Sequence, residues 1–464
     1  MPACQAKNFD VAILGTQSPY AVVAEYQGLT ADGHFPHDAL QPDWAEIIRV
    51  LAATQTPPGE SFILNIGGLL FDDLMQGSIR DLWVEARAGL EAGQYLRVRL
   101  NLRPPAVAAL PWETLADPRR RRTLAADKAL ALVRTATDAE FVGRPRSIQT
   151  KLPAKILIVA VEEADAIDAS AEISHIQASL SPLLPTHLQL EILQGRFDLQ
   201  TLRRRLDEYR PDILHVISHG ETDGLYLWEN DELTLVKASQ LAAMLGLVDS
   251  VKLVFLNACL AGQPDNTAPY AGLAQRLLQT GIPAVIAMQF VVLDRAAAAF
   301  AGFLYEALVV GPCPGAIDVA TSIARSGLYI SDPDRIDYAT PLLWLNAPDG
   351  MILRWTDASP QPASSVILAS SPDVLPPPLV LEIEEKERWF ALLPLSIERA
   401  ELRFDYPDRR KQAEQILREL RQAHEAQQAG EPVDFRRITG QLKKFSTERR
   451  LVDNLLEKLQ RTEP

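Results

Sequence analysis

The sequence predicts an α/β fold, a mainly parallel sheet with helices on both faces, joined to a small C-terminal α-helical module. Three observations lead there. Ile156-Leu-Ile-Val-Ala-Val161 is a continuous apolar, β-branched run of the kind that fills a strand buried on both faces. Further short apolar runs follow at Leu188 to Leu193, Ile213 to Ser218, Val251 to Leu256 and Ala284 to Met288, with helical stretches between them. The charge pattern then changes near residue 380. Leu381 to Pro464 carries 17 acidic and 17 basic residues in 84, whereas the preceding 380 carry 43 and 29. A small helical appendage has more surface per residue than a large core, so the denser charge marks a boundary.

The elements can be justified in chain order. Phe9 to Leu14 is apolar enough for a strand, and Tyr95-Leu-Arg-Val-Arg-Leu-Asn-Leu102 alternates as a half-exposed one does. His34-Phe-Pro-His37 reads as a loop rather than a metal site, since two histidines without further ligands make a poor cage. Arg119 to Arg122 reads as a solvated basic loop. Asp198 is positioned to cap a helix whose Leu199, Leu202 and Leu206 share one face, with Arg203 to Arg205 on the exposed side. Pro211 stops that helix before the Ile213 run, and Tyr270 to Gln279 is helical. Ala358 to Pro378 is a Pro- and Ser-rich linker. Beyond it, Arg409 to Gln427 and Phe435 to Leu459 have helical periodicity around the Gly430-Glu-Pro432 break, which suggests a helical hairpin.

Composition narrows the function. A net charge of -14 over 464 residues argues against general nucleic-acid or anionic-membrane binding, because like charges repel. Three cysteines, Cys4, Cys259 and Cys313, are too few and too scattered for a disulfide scaffold or a thiolate zinc site. With no secretory signal and no membrane-length apolar run, a cytoplasmic location is expected. No Walker-type loop, His-Glu-x-x-His or Gly-x-Ser-x-Gly occurs, so no cofactor or metal is called for.

Chemistry concentrates at two strand ends. Ile213 to Ser218 runs into His219-Gly220, and Val251 to Leu256 runs into Asn257-Ala258-Cys259. In open parallel sheets, ligands and catalytic groups gather beyond the carboxyl ends of the strands. An imidazole and a thiol delivered to that edge by neighbouring strands are the parts of a nucleophilic cysteine site. Either residue alone is more often a structural core residue; the pair favours the functional reading. Gly220 permits a turn whose N–H, with that of Cys259, can serve as an oxyanion donor. His219 and Cys259 are forty positions apart, which leaves room for one crossover helix and its loops. His215, on the same strand face as His219, reads as core, as does Trp112; Glu113 is left without a role. Cys313, between two prolines, has no base in view.

These residues carry a resemblance. Asp212-Ile-Leu-His-Val-Ile-Ser-His-Gly220, Gly224-Leu-Tyr-Leu227 and Val254-Phe-Leu-Asn-Ala-Cys259 resemble the CHAT family of caspase-like proteins, in the clan of caspases, separase and metacaspases. Ile66-Gly-Gly-Leu-Leu-Phe71 and Leu110-Pro-Trp-Glu-Thr-Leu115 resemble its N-terminal half. Ala284-Val-Ile-Ala-Met-Gln289, Ala316 to Arg325 and Pro341-Leu-Leu-Trp-Leu345 resemble its C-terminal half. The likeness covers roughly Phe9 to Trp355.

The resemblance implies a caspase-like arrangement: residues 1–150 form the N-terminal, pseudo-caspase-like half, 151–357 the catalytic half, 358–378 the linker and 379–464 a helical interaction module. It implies a thiol protease in which Cys259 attacks, His219 transfers the proton, and the Gly220 and Cys259 amides hold the oxyanion. Asn257, Asp265 and Gln289 would line the substrate pocket. In several clan relatives an Asp stands where Asn257 stands and binds a basic side chain. The neutral Asn257 predicts cleavage that does not require Arg or Lys, with Asp265 the residue to suspect if it does. The family further implies a prokaryotic antiviral-defence or cell-death effector, switched on by an activator or adaptor that docks on the C-terminal helices. A gasdermin-like protein is one substrate in such systems. Two readings compete: a catalytically silent caspase-like scaffold, and a thiol hydrolase acting on a small molecule.

Overall fold

The computed structural model describes residues 5–36, 44–52, 57–120, 122–127, 129–135, 146–162, 169–221, 224–260, 271–290, 292 and 294–356. The expected linker and C-terminal hairpin therefore lie outside the described residues, as does Asp265. The chain divides into two compact units, one of residues 1–37 and 51–366, the other of 38–50 and 367–464. In the second, the described residues belong to α1 (Trp44–Leu51).

Among the described residues, the first unit is built on a 13-stranded sheet. Its N-terminal part comprises β1 (Gln5–Leu14), β2 (Tyr20–Tyr26), β3 (Leu29–Phe35), α2 (Glu60–Leu74), α3 (Gly77–Ala88), β4 (Gln94–Leu102) and β5 (Leu130–Arg134). The C-terminal part comprises β6 (Ala154–Val161), α4 (Ala169–Leu180), β7 (Leu188–Gly195), α5 (Leu199–Tyr209), β8 (Ile213–Glu221), β9 (Gly224–Glu229), β10 (Glu232–Lys237), α6 (Ala238–Gly246), β11 (Leu253–Leu260), α7 (Ala271–Gln279), β12 (Ala284–Met288), α8 (Asp294–Val310), α9 (Ile317–Ser331) and β13 (Pro341–Leu345). The order is β7-β6-β8-β11-β12-β13-β5-β4-β1-β2-β3, with β9 on the far end of β8 and β10 on β9. Strands β7, β6, β8, β11 and β12 are parallel; β13 pairs antiparallel to β12 and parallel to β5. Both halves share this sheet.

The apolar runs fold as strands because both their faces are covered. On one face Leu157, Val159, Leu214, Val216, Val254 and Leu256 pack with Leu202 and Leu206 of α5, Leu241 and Leu245 of α6 and Leu273 and Leu277 of α7. On the other, α4 packs with α8. There the Phe255 ring meets Phe300 edge-on at 5.8 Å. A side chain this fully buried contributes about 2–3 kcal/mol through its lost water contact alone. The Asp198 cap forms as expected, its Oδ1 accepting from the Thr201 amide at 2.8 Å.

The structure departs from the sequence reading in three places. Strand β4 is mostly buried rather than half-exposed. Arg97 is 1% exposed. Its Nε donates to Asp318 at 2.6 Å, and its other nitrogens reach Asn8, Tyr95 and the Pro348 and Asp349 carbonyls. Burial pulls the guanidinium pKa down, but the Asp318 carboxylate beside it more than offsets that. An arginine in the polar phase of an alternating strand thus reads as solvent-facing until its distant counter-ion is known. The His34 position is in β3, opposite Ala21, rather than in a loop. And the crossover from β8 to β11 is a β-hairpin plus a helix, not a helix alone.

The two N-terminal motifs meet in space. A Cβ added to Gly67 would fall 1.7 Å from the Thr114 carbonyl oxygen, so the Gly-Gly pair of α2 lets the helix lie directly on the Leu-Pro-Trp-Glu-Thr segment. Trp112 in that segment is wholly buried and donates its indole N–H to Val107 O at 2.7 Å.

Candidate active site

Parallel pairing between β8 and β11 sets the register from Ile213 opposite Leu253 through to Gly220 opposite Leu260. Within that register His219 stands directly across from Cys259. Neighbouring strands run about 4.8 Å apart, so the two positions are as close as two chain segments in a sheet can be. Both lie at the carboxyl end of their strands, beyond the last β8–β6 pair at Ile217. Strand alternation puts His215, Ile217, Phe255 and Asn257 on one face, where His215 and Phe255 meet α8 and Asn257 meets α4.

Aromatic rings fill the core of that face. His215 is fully buried, stacks on Phe255 at 4.3 Å and shares a 2.9 Å hydrogen bond between its Nδ1 and the Tyr305 hydroxyl of α8. Burial holds its imidazole down to about 3, so the ring is neutral and packs rather than exchanging protons. The same burial raises the Tyr305 hydroxyl far above its usual range.

Gly220 is not in a turn. Strand β8 continues through it to Glu221, with Gly220 opposite Leu225 of β9 on one side and Leu260 on the other. The hairpin opens at Gly224, where an added Cβ would lie 2.3 Å from the Val236 carbonyl oxygen. The reason is the pairing of Gly220 with Leu225 and of Glu221 with Gly224, which carries β8 further than the strand signal to Ser218 indicates.

Asn257 is 6% exposed and donates its side-chain amide to Glu172, in the first turn of α4. Its Oδ1 is buried without a hydrogen-bond partner. Glu172 is 3% exposed. Sequence reasoning missed Glu172; the signal available was a carboxylate in the first turn of the helix that follows β6. Gln289 follows β12 and is 4% exposed, its Nε2 donating to the Ala339 carbonyl at 2.6 Å and to Glu113 at 3.2 Å. Glu113, left without a role by the sequence, is the bidentate partner of Arg134 at 2.9 and 2.7 Å, each side chain 1% exposed. Arg325 is buried nearby, lowered to about 10 chiefly by desolvation and held up by Glu113. This cluster ties the end of β12 to the N-terminal half.

Cys313 is disulfide-bonded. This corrects its reading as a plain loop thiol; linear spacing between cysteines carries no information on which meet in space. Among the described residues, no group of three or more His, Cys, Asp or Glu is placed to hold a metal. No described helix is long and apolar enough to cross a membrane.

No curated protein matches the chain. Among solved structures, two of the Saccharomyces cerevisiae separase–securin complex are similar, at 15% and 14% identity with TM-scores of 0.38 and 0.37. They cover 65% and 68% of this chain, which in turn spans about a fifth of the length of theirs (20% in each case). The model of the CHAT domain matches residues 66–353, a stretch that runs from the Gly-Gly motif of α2 past the ends of β8 and β11 to beyond β13. That match takes in more than half the chain, and the chain belongs to the CHAT domain family.

Proposed function

We propose that this protein is a caspase-like cysteine endopeptidase whose nucleophile is Cys259 and whose proton-transfer group is His219. One observation supports this reading above the others: the register of β8 and β11 pairs those two positions at the carboxyl edge of the sheet. His219 takes the Cys259 thiol proton, the sulfur attacks the scissile carbonyl carbon, and the C–N bond breaks. His219 gives its proton to the departing amine, and a water then releases the acyl group with His219 as base. Backbone amides, those of Gly220 and Cys259 in this reading, stabilise the oxyanion, at about 3 kcal/mol per donor. Asn257 lines the groove beside the nucleophile. Gln289, its amide committed to Glu113 and Ala339, shapes that wall from behind.

In this reading the protein is an effector of prokaryotic defence or cell death, switched on when a partner engages the helices within residues 379–464, and a gasdermin-like protein is one candidate substrate. The scaffold reading is disfavoured because both reactive residues are retained. Digestion of a peptide library by the full chain separates the two. Wild type is expected to cut, and Cys259→Ala and His219→Ala to lose cutting while melting as wild type does. Equal cutting by Cys259→Ala would refute the nucleophile; no cutting by wild type, alone or with any activator, would favour the scaffold.

A further inference from the structure

Cys313 is disulfide-bonded, and a chain with three cysteines leaves two candidates for its partner, Cys4 and Cys259. Geometry decides between them, because a bridge needs its two Cα atoms within about 7 Å of each other. Cys313 lies in the turn between α8 and α9, so its place follows from what each helix touches. From α8, Cys259 is out of reach. The Phe300 ring of α8 meets Phe255 of β11. Cys259 stands four residues beyond Phe255, about 13 Å further toward the carboxyl edge at the rise of a strand. Helix α8 follows β12, which is parallel to β11, so it starts at that edge and runs back from it. From Phe300 to its end at Val310 it carries the chain about another 15 Å away. The Gly315 amide then donates to the Leu308 carbonyl at 2.7 Å, which holds the turn at the far end of α8.

From α9, the first strand is close. Asp318, in the first turn of α9, accepts from Arg97 Nε at 2.6 Å and from the Tyr95 hydroxyl at 2.9 Å, both on β4. Arg97 also donates to Asn8 of β1 at 3.0 Å, and the two stand opposite each other in the β1–β4 register. Cys313 precedes Asp318 by five residues and Cys4 precedes Asn8 by four. Both cysteines are thus a few residues from one buried cluster. Strand β11 lies four places from β4 in the sheet, about 19 Å at the usual strand spacing.

We infer that Cys313 is bridged to Cys4, which ties the start of the first strand to the α8–α9 turn and leaves Cys259 as the one cysteine that keeps a thiol. Forming the S–S bond removes two electrons and two protons from Cys4 and Cys313, and an external disulfide takes them up and becomes two thiols. The pairing stands without the peptidase reading. It adds to that reading a chain in which oxidation consumes the other two sulfurs and spares Cys259.

The test is a thiol count on the full chain, purified in air without reductant. The protein is unfolded in guanidinium chloride and titrated with a pyridyl disulfide at acid pH, where exchange between thiols and the bridge is slow. Peptide mass mapping under the same conditions then identifies the joined peptides. Wild type is expected to give one thiol per chain, on Cys259, with the Cys4 and Cys313 peptides joined. Cys259→Ala is expected to give none, and Cys4→Ser and Cys313→Ser two each. A joined Cys259–Cys313 peptide, no thiol in Cys4→Ser, or two thiols in Cys259→Ala would overturn the pairing. Three thiols in wild type, or a bridge between two chains, would overturn it as well. Loss of peptide cleavage or of warhead labelling with the thiol count intact would instead count against the peptidase reading alone.

Discussion

Replacing Glu113 tests how the two halves of the sheet are held together. The Arg134 guanidinium makes two short bonds to its carboxylate and further ones to the Ala108 and Leu110 carbonyls, all inside the core. Arg325 is buried in the same cluster, where Glu113 favours its charge and Arg134 opposes it. Glu113→Gln keeps the volume but leaves two buried cations facing each other without an anion. Breaking a buried pair in this way costs about 3–5 kcal/mol, because the surviving charge has lost both water and partner. At roughly 2 °C per kcal/mol for a unit of this size, melting should fall by about 6–10 °C. Glu113→Gln with Arg134→Met removes one of the orphaned charges and should recover more than half of that loss. A thermal melt of wild type, both single variants and the double variant closes the cycle. A loss under about 1 kcal/mol in Glu113→Gln, or a double variant no more stable than the single, would refute the claim that the pair is buried and coupled.

Further outcomes follow from the same packing. His215 stays neutral when folded but takes up a proton near 6.5 when unfolded. Its folded pKa is depressed, so its contribution is fully present above 6.5 and is lost as pH falls toward 3. At about 1.4 kcal/mol per unit, wild type should lose about 2 kcal/mol between pH 6.5 and 5 that His215→Phe does not, measured by urea unfolding at both pH values. Parallel pH curves for the two proteins would contradict this. Gly224→Ala drives a methyl against the Val236 carbonyl and should destabilise by about 1–3 kcal/mol, lowering peptide cleavage with it, since β9 extends the strand that carries His219. A neutral melt would show that β9 and β10 are not so closely paired.

Much of the sheet was legible because buried parallel strands announce themselves. The Ile156 run, the Ile213 run and the Val251 run need nothing but local composition, and the Asp198 cap needs only one side chain and its own helix. The two strand ends were legible, and the register added what sequence lacks, namely that the position of His219 pairs with that of Cys259 and not with one two places away. Features that depend on long-range partners were not legible. Arg97 reads as solvent-facing until Asp318, 221 residues on, is beside it. Glu113 had no role until Arg134 and Gln289 were placed. Gly220 looked like a turn because what prolongs β8 is its antiparallel pairing with β9, a contact between strands that the local sequence at Gly220 does not announce. Glu172 escaped notice because a first-turn glutamate is common on exposed helices, and only the Asn257 contact marks it as buried.

The dyad itself is tested most directly by mapping where a peptidyl acyloxymethyl ketone attaches to the full chain, and how fast, with and without His219. The arrangement described here predicts one adduct, on Cys259, whose formation slows by about 100-fold or more in His219→Ala while the melting temperature holds. An adduct on another cysteine, or the same labelling rate on Cys259 without His219, would contradict it.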